Sequence, residues 1–317
     1  MKNSESLQED LEDVAPDVQA RVHRVGGMSD AELLSLEWRN QLSEERFDVI
    51  HPDDVVDWES VTTQDEERGE RAIKDGDVAF VVIVDNNGWV GNHRAFSRIP
   101  GLDLSLLGWK LLQAGNMPVW VMSSPEASRS IQDHILKLAL PVGLQGTVFE
   151  QFEGYCLTEE SRLHLEKGEP LLYPLGSGDV GPALVESGVL NDNPNVKMIV
   201  ACHVNNVMAS PHAGLIGRHI RTACKVSCEV TQDEPAGLLF STGTMIIDVD
   251  VLRWPIPWRW NRVSNRGLIQ YERSLHQYTE ICETDFVQVP RLVRHMPVMS
   301  LGDLQRAGEL LRGYQYT

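Results

Sequence analysis

Short, continuous apolar runs constrain the fold of this chain more than any other sequence feature. Runs of this kind occur at 78–85, 117–124 and 196–204, and a fourth strand-like run covers 225–232. An amphipathic helical pattern at 104–114 separates the first two runs. Strands that are apolar throughout are buried on both faces, which is typical of a mostly parallel sheet covered by helices. The pattern therefore predicts a doubly wound α/β core.

In a sheet of this type, ligands bind in the crevice beyond the carboxyl ends of the strands. We therefore expect functional residues in the loops that follow Val84, Val121 and Val204. A further strand is expected at 245–252, where Asp248 and Asp250 would share one face and either coordinate a metal or face solvent.

The charge of the chain is concentrated near its N-terminus. The 317 residues carry 28 Lys and Arg against 46 Asp and Glu, a formal net charge of −18, and 22 of the acidic but only 8 of the basic residues precede residue 79. An acidic chain neutralises few phosphates, which argues against sequence-independent nucleic-acid binding. We expect an acidic helical extension over 1–76 and one α/β domain over 77–317. The extension is interpreted either as a solvated packing arm or as the binding site for a protein partner.

The sequence contains no sign of a membrane segment or a secretory signal. The apolar runs are far shorter than the roughly 20 residues of a membrane-spanning helix. The N-terminus, MKNSESLQEDLEDV, lacks the apolar centre of a signal peptide. Five cysteines in a chain of this length favour reduced thiols over a disulfide framework. We therefore expect a cytoplasmic protein that binds no membrane.

A glycine-containing loop follows the first apolar run. Residues 85–91 read Asp-Asn-Asn-Gly-Trp-Val-Gly, and the two glycines would let a phosphate approach the backbone. The spacing fits neither the P-loop nor the dinucleotide fingerprint. Taken alone, the loop is therefore a weak indication of phosphate binding.

Taken together and in order, this loop and several later segments resemble the UDP-glucose pyrophosphorylase family, the eukaryotic-type UTP:glucose-1-phosphate uridylyltransferases. The segment 81–113 resembles the family's opening strand, Gly-rich loop, basic motif and first core helix, and 117–124 resembles its next strand. Phe149-Glu150-Gln151 matches the Phe-Asn-Gln segment whose Gln reads uracil, and 172–184 resembles the Pro-Gly-His-Gly-Asp loop.

The resemblance continues into the second half of the chain. The segment 200–209 resembles the Ser-Asn-x-Asp-Asn strand end at the family's sugar-phosphate and metal site. The segment 268–304 resembles the one that contains Gln-Leu-Glu and Val-Pro-Arg and leads to a Pro-Val-Lys motif. The ordered set covers about 80–305.

The resemblance implies a three-layer nucleotide-diphospho-sugar transferase fold with a Rossmann-like core. It implies attack of a sugar 1-phosphate on the α-phosphate of UTP, with Mg²⁺ between the reacting oxygens. In such a reaction the protein contributes positioning and charge stabilisation. The family's C-terminal β-helix is not expected, because the sequence ends at Thr317.

The resemblance also assigns candidate residues to the nucleotide and to the substrate. The implied nucleotide-binding residues are Asn87, Gly88, Gly91, Gln151, Gly176, Ser177, Gly178 and Asp179. On the sugar side, Asn206 and Glu272 match family positions, and His203 lies at the same strand end. His203 is interpreted either as a metal ligand or acid–base group, or as a structural, hydrogen-bonded residue. Arg94 lies near the family's first basic position and is expected to stabilise charge on the reacting phosphate.

Several positions differ from the family pattern. Asn205 stands where the family has its metal-coordinating Asp, so its uncharged amide predicts a weak Mg²⁺ site. Met299 stands at the Lys of the Pro-Val-Lys motif and cannot pair with a phosphate. Asn87 replaces a loop glycine. Ser241 and Gly243 replace the two asparagines that hold the glucose hydroxyls, so glucose 1-phosphate is not the expected substrate.

New cations occur in the segment 254–266, which reads WPIPWRWNRVSNR. Arg259, Arg262 and Arg266 could clamp a phosphate in a bidentate manner and replace the missing lysine. The alternative interpretation is a solvated, Arg-rich loop anchored by the neighbouring tryptophans.

The sequence thus predicts a divergent nucleotidyltransferase that transfers a uridylyl group from UTP to a phosphorylated small molecule and releases pyrophosphate. One alternative is a non-catalytic partner or regulatory protein of the same fold that binds a uridine nucleotide or a nucleotide sugar. The combined loss of a loop glycine, the Asp and the Lys favours this alternative. The other is a different reaction on a UDP-linked ligand.

Overall fold

A computed structural model of the chain describes Ala15 and residues 50–84, 94–138, 146–159, 162–233, 237–256, 259–263 and 267–313, with only the backbone for 259–263. The strands within these residues are β1 (Val55–Asp57), β2 (Val78–Ile83), β3 (Val119–Ser123), β4 (Gly146–Glu150), β5 (Glu153–Tyr155), β6 (Leu157–Thr158), β7 (Leu165–Glu166), β8 (Glu169–Pro170), β9 (Leu172–Pro174), β10 (Met198–His203), β11 (Val226–Gln232), β12 (Leu239–Asp248), β13 (Arg259–Val263), β14 (Leu268–Glu272) and β15 (Thr284–Gln288). The α-helices are α1 (Thr63–Lys74), α2 (Leu106–Gln113), α3 (Pro125–Lys137), α4 (Val180–Ser187), α5 (Val189–Asp192), α6 (Ala213–Thr222), α7 (Tyr278–Ile281), α8 (Arg291–Arg294) and α9 (Leu301–Leu311).

The described strands include an eight-stranded central sheet in the order β1-β15-β11-β12-β10-β2-β3-β4. Adjacent strands of this sheet run parallel, except that β12 is antiparallel to both of its neighbours. Smaller sheets join β13, β14 and β6, pair β5 with β9 and pair β7 with β8. The mostly parallel α/β sheet that the apolar runs predicted is therefore confirmed.

Helices cover both faces of the central sheet, as expected for strands that are apolar throughout. On one face, Leu107 and Leu111 of α2 and Ile131 of α3 share a core with Val82 and Val200. On the other face, Leu184 of α4 and Tyr278 of α7 share a second core with strand residues that include Val81, Trp120 and Ile199. The result is the three-layer arrangement of a doubly wound fold.

Short polar side chains begin the helices that follow the strand ends. Ser105 accepts a hydrogen bond from Gly108 N at the start of α2, and Ser124 accepts one from Ala127 N at the start of α3. Each side chain satisfies a backbone N–H that has no partner within its helix. Because Ser124 follows β3 directly, α3 begins at the carboxyl end of that strand.

Part of the predicted N-terminal extension belongs to this body. Residues 1–49, apart from Ala15, lie outside the described residues. Residues 50–76 contribute β1, which pairs with β15 at one edge of the sheet, and α1, which packs on α6. The packing is close: a Cβ at Gly69 would lie 1.8 Å from Ala213 O, and one at Gly217 would lie 1.7 Å from Asp65 O.

The expected strand at 245–252 ends earlier than predicted. β12 ends at Asp248, and Val251–Arg253 forms a 3₁₀ turn, so Asp250 does not share a strand face with Asp248. Lys225 Nζ lies 2.9 Å from a carboxylate oxygen of each aspartate. Lysine pairing therefore takes the place of the metal coordination that the sequence left open for this pair.

No helix within the described ranges is both long enough and apolar enough to cross a membrane. All five cysteines, each within those ranges, are free thiols.

Candidate functional site

The strand order places a crevice between β2 and β10. The chain leaves β2 towards β3 and β4 on one side, whereas β10 begins the other half of the sheet. Parallel strands that diverge in this way define a topological switch point, where α/β proteins bind ligands beyond the carboxyl ends. Here those ends lead into Arg94 on one side, after residues 85–93, and into Asn205 on the other.

Arg94 and Asn205 come together at this crevice through Met299. Arg94 Nη1 lies 3.5 Å from Met299 Sδ, and Asn205 Nδ2 lies 3.3 Å from the same sulfur. The guanidinium is largely buried, since Arg94 is 6% exposed, whereas Met299 is 55% exposed. The fold thus assembles three positions that the sequence singled out separately: the candidate cation, the asparagine at the metal position and the methionine at the lysine position.

The two adjacent asparagines have different surroundings. Asn206 is 2% exposed, its Oδ1 accepts from Met296 N at 2.9 Å, and its Nδ2 donates to Arg294 O at 3.2 Å. Its amide therefore holds the loop after β10 against the segment before α9. The side chain of Asn205 is only partly buried and faces the crevice beside Met299. Of the two amide side chains, that of Asn205 is the more accessible.

Side-chain donors of α2 bind carbonyl groups in the loop after β10, and the sequence patterns did not predict them. Trp109 Nε1 and Gln113 Nε2 donate to Val207 O at 2.8 and 2.9 Å, and Lys110 Nζ donates to Ala209 O. Lys110 is fully buried, and this burial lowers its pKa to about 8. A lysine inside the apolar run Leu-Leu-Gly-Trp-Lys-Leu-Leu was the available signal, because lysines are almost never fully buried without a specific partner.

Arg294 links the loop after β10 to strand β11. Its Nη2 donates to Ser210 O at 2.7 Å, and its guanidinium pairs with Glu229 at 2.5 Å. Both side chains of this pair are at least nine-tenths buried. A buried pair of this kind fixes geometry, because neither charge can be left without its partner at low cost.

His203 lies at the end of β10 beside an irregularity in β12. The register of β12 against β11 shifts between Cys228 and Val230, and Gly243 in the shifted segment has a φ of +73°. A Cβ at Gly243 would lie 3.2 Å from His203 Cδ2. The imidazole therefore stands beside the position where the related pattern carries an asparagine side chain.

Gln151 follows β4 directly. Its backbone N–H donates to Ser123 O at 2.8 Å, and the residue is 5% exposed. It lines a cleft of about 460 Å³ together with Phe149, Phe152 and side chains from α3 and α4. The structure thus places Gln151 in the wall of a cleft at the end of β4.

The loop from Gly176 to Asp179 packs against the segment that follows β14. A Cβ at Gly176, where φ is +94°, would lie 2.5 Å from Arg273 O, and one at Gly178 would lie 2.6 Å from Ser274 O. Ser177 Oγ accepts from Leu275 N at 3.0 Å. The close approach of this neighbouring segment alone accounts for both glycines in the loop.

Asp179 is fully buried at the end of that loop. One carboxylate oxygen accepts from Phe152 N at 2.7 Å, and the other lies 3.5 Å from Arg273 Nη1. Burial raises the pKa of Asp179 to about 6, against the opposing effects of these two donors. The carboxylate is therefore directed into the protein and joins the Gly176–Asp179 loop to the end of β4.

For the remaining candidate site residues, the structure describes only some of the positions and side chains. Glu272 is partly buried at the end of β14, where burial raises its pKa, and its Cα is paired with that of Arg259 in β13. Arg262 pairs in the same way with Ile269. The side chains of these arginines, and all of Arg266, Asn87, Gly88 and Gly91, lie outside the described residues.

The described residues do not form a metal site of their own. Among them, no group of three or more His, Cys, Asp or Glu side chains lies close enough to hold an ion. Asn205 offers one uncharged amide oxygen, whereas Mg²⁺ sites in proteins usually include at least one carboxylate. Any Mg²⁺ at this crevice would therefore depend on ligands other than these side chains.

Solved structures of UDP-sugar pyrophosphorylases are similar to this fold. A variant of the UDP-glucose pyrophosphorylase of Leishmania major in complex with UDP-glucose matches with a TM-score of 0.71 at 14% identity, over 96% of this chain and 78% of that one. The uridine diphosphate N-acetylglucosamine pyrophosphorylase of Trypanosoma brucei, in complex with an inhibitor, matches with a TM-score of 0.70 at 14% identity, over 98% and 82%.

A UDP-glucose phosphorylase of Trypanosoma brucei matches with a TM-score of 0.67 at 14% identity, over 97% of this chain and 79% of that one. No protein-family model and no curated protein sequence matches the chain. At this level of identity the likeness shows the class of fold, a nucleotidyltransferase-like α/β fold.

Proposed function

We propose that the chain is a uridylyltransferase that transfers the uridylyl group of UTP to a phosphorylated small molecule and releases pyrophosphate. The observation that carries the proposal is the meeting of Arg94 and Asn205 at the switch point, each within 3.5 Å of Met299 Sδ. A cation at this crevice would stabilise negative charge on the phosphates, which is the main requirement of phosphoryl and nucleotidyl transfer. The likeness of the fold to UDP-sugar pyrophosphorylases supports the same proposal.

The substrate proposed is a phosphorylated small molecule other than glucose 1-phosphate. His203 stands beside Gly243, where the resembling pattern has one of two asparagines that hold glucose hydroxyls. The other position, Ser241, has its Oγ 3.3 Å from Cys228 Sγ and accepts from Gly243 N at 3.1 Å. An imidazole and an internally bonded serine offer a different set of contacts from two free amides, so the substrate's polar groups should differ as well.

The test of catalysis is pyrophosphate release from UTP with a panel of sugar, amino-sugar and polyol phosphates. We expect release with at least one compound and little with glucose 1-phosphate. Removing a charge-stabilising donor costs about a hundredfold or more in rate, so Arg94→Ala should nearly abolish turnover. Arg98→Ala is the matched control, because Arg98 is four positions away, is exposed and forms its ion pair within the described residues with exposed Asp103.

Activity that survives Arg94→Ala would contradict the role of this cation. If no compound gives pyrophosphate release and UDP-sugars still bind, the result would contradict the enzyme proposal and favour a non-catalytic binding protein.

The test of nucleotide choice uses Gln151. An amide side chain offers one donor and one acceptor to a uracil edge. We expect UTP to bind more tightly than ATP in calorimetry, and Gln151→Ala to remove this preference. Gln232→Ala, at an exposed position whose amide bonds Gly237 O, should leave it unchanged. Equal affinities for UTP and ATP in the wild type would contradict the proposed nucleobase contact.

From the sequence we also propose that the protein requires Mg²⁺ only weakly, that it is cytoplasmic and that its acidic N-terminal arm binds a protein partner. The free state of all five thiols supports the second.

A further inference from the structure

The peptide unit between Gln151 and Phe152 lies at the point where β4 leaves the sheet. The last residue of β4 that is paired with β3 is Glu150, opposite Ser123. Gln151 N then donates to Ser123 O, so its amide is still held by the strand. The next amide, Phe152 N, has passed the end of the pairing and needs another acceptor.

Asp179 supplies this acceptor from a distant part of the chain. Its Oδ2 lies 2.7 Å from Phe152 N, a distance typical of a charge-assisted hydrogen bond. Phe152 O in turn accepts from Leu175 N at 3.0 Å. The backbone on the C-terminal side of Gln151 is therefore fixed at both polar atoms of Phe152.

The position of Asp179 is itself tightly fixed. It is fully buried, and its Oδ1 faces Arg273, whose side chain is also largely buried. The Arg273 carbonyl accepts from Gly178 N at 2.9 Å, which holds the loop against the same residue that carries the guanidinium. Because its side chain is fully buried, the carboxylate is not accessible to a nucleotide.

We propose that Asp179 is a positioning residue that fixes Gln151 for nucleobase recognition through its hydrogen bond to Phe152 N. The inference rests on the proposed function, because it assigns Asp179 to the support of the residue that reads the base. A carboxylate suits this place better than an amide. Both of its neighbours are donors, and an Asn side chain would have to turn its own NH₂ group towards one of them.

The proposal is tested by a double-mutant cycle on the ratio of UTP to ATP affinity. If the contact of Gln151 with the base is lost when its backbone is released, the ratio should fall by about fivefold to tenfold, the effect of losing one hydrogen bond. We expect Asp179→Asn to lower the ratio nearly as much as Gln151→Ala does. In the double variant the ratio should fall no further, because Asp179 acts only through Gln151.

A general loss of stability would not reproduce this pattern. The control is His219→Ala, which removes a buried side chain bonded to Ser227 Oγ and Asp248 Oδ1 near the opposite end of the sheet. This variant should lose stability and keep the UTP-to-ATP ratio. A ratio lowered equally by His219→Ala would overturn the proposal, and so would independent, multiplicative effects of Asp179→Asn and Gln151→Ala.

Hydrogen exchange on the wild-type protein gives a test that needs no variant to fold. The Phe152 amide should exchange as slowly as the paired amides of β4, and rapid exchange would overturn the proposal. A wild type without preference for UTP would overturn the nucleobase assignment and this role with it. A wild-type preference that Asp179→Asn leaves intact would overturn the positioning role alone.

Discussion

Met299 contacts both Arg94 and Asn205 with one sulfur atom, at 3.5 Å from the guanidinium and 3.3 Å from the amide. The sulfur is a weak acceptor and carries no charge. Among the described residues, a buried cation therefore lies beside a neutral, more than half-exposed side chain. The proposed binding of phosphates would therefore depend on Arg94 more than it would if position 299 were charged.

This relationship predicts that Met299→Lys strengthens phosphate binding. Because Met299 is 55% exposed, a lysine there can turn towards solvent and tolerate the nearby guanidinium. A unit charge at about 4 Å contributes about 1 kcal/mol in water, so UTP should bind about fivefold more tightly. The neutral variant Met299→Gln is the matched control. Calorimetry at low and high salt should show a gain that salt reduces, and identical affinities for the two variants would contradict the prediction.

A second prediction concerns the metal. Asn205 carries no charge, so Mg²⁺ should change the UTP affinity of the wild type only slightly. Asn205→Asp adds a carboxylate beside the crevice and should make UTP binding depend on Mg²⁺, since hard cations prefer charged oxygen ligands. The same change at exposed Asn191 should have no effect. Titration of Mg²⁺ with UTP present decides the question, and superimposable curves for Asn205→Asp and the wild type would contradict it.

The central sheet was predictable because its strands are apolar throughout. The runs at 78–85 and 196–204 correspond to β2 and β10 in position, and the helical pattern at 104–114 corresponds to α2. These elements are defined by local pattern, which a sequence displays directly. β1 has only three residues, and no periodicity can be read from so short a strand.

The reversed direction of β12 and the roles of Lys110 and Asp179 were not predictable in this way. Each depends on contacts between residues far apart in sequence. Lys110 meets the carbonyl of Ala209, and Asp179 meets the amide of Phe152, only after the sheet has formed. The resemblance assigned the Gly-Ser-Gly-Asp segment to nucleotide binding, but the burial of its aspartate depends on how the fold packs around it.

The packing of α1 on α6 predicts a large effect of one methyl group. A Cβ at Gly217 would lie 1.7 Å from Asp65 O, which is backbone and cannot move without shifting α1. Gly217→Ala should therefore lower the free energy of unfolding by about 3 kcal/mol or more. Gly302→Ala is the control, because the nearest atom there is Ser300 Oγ at 3.6 Å. That variant should be neutral or slightly more stable, since Ala favours helix more than Gly does. Urea unfolding measures both, and equal midpoints would contradict the predicted packing.

The last prediction concerns the stability of the fold at acid pH. Burial, followed by the charge of Arg294, lowers the pKa of His212 to about 4. In the unfolded chain the same group takes up a proton near pH 6.5, so the native state binds fewer protons between these values. The contribution of His212 to the free energy of unfolding is therefore fully present above about pH 6.5. It falls by at most about 3 kcal/mol as the pH decreases towards 4.

His212→Phe tests this dependence, because a phenyl ring can keep the edge contact that His212 makes with Trp58 at 4.9 Å and cannot take up a proton. Urea unfolding at pH 5, 6 and 7 should show a smaller loss of stability for His212→Phe than for the wild type. Part of the loss should persist, because burial also lowers the pKa values of His134 and His295. His51→Phe, at an exposed position, should follow the wild-type curve. If His212→Phe loses as much stability as the wild type on acidification, the protonation of His212 does not limit the acid stability of this fold.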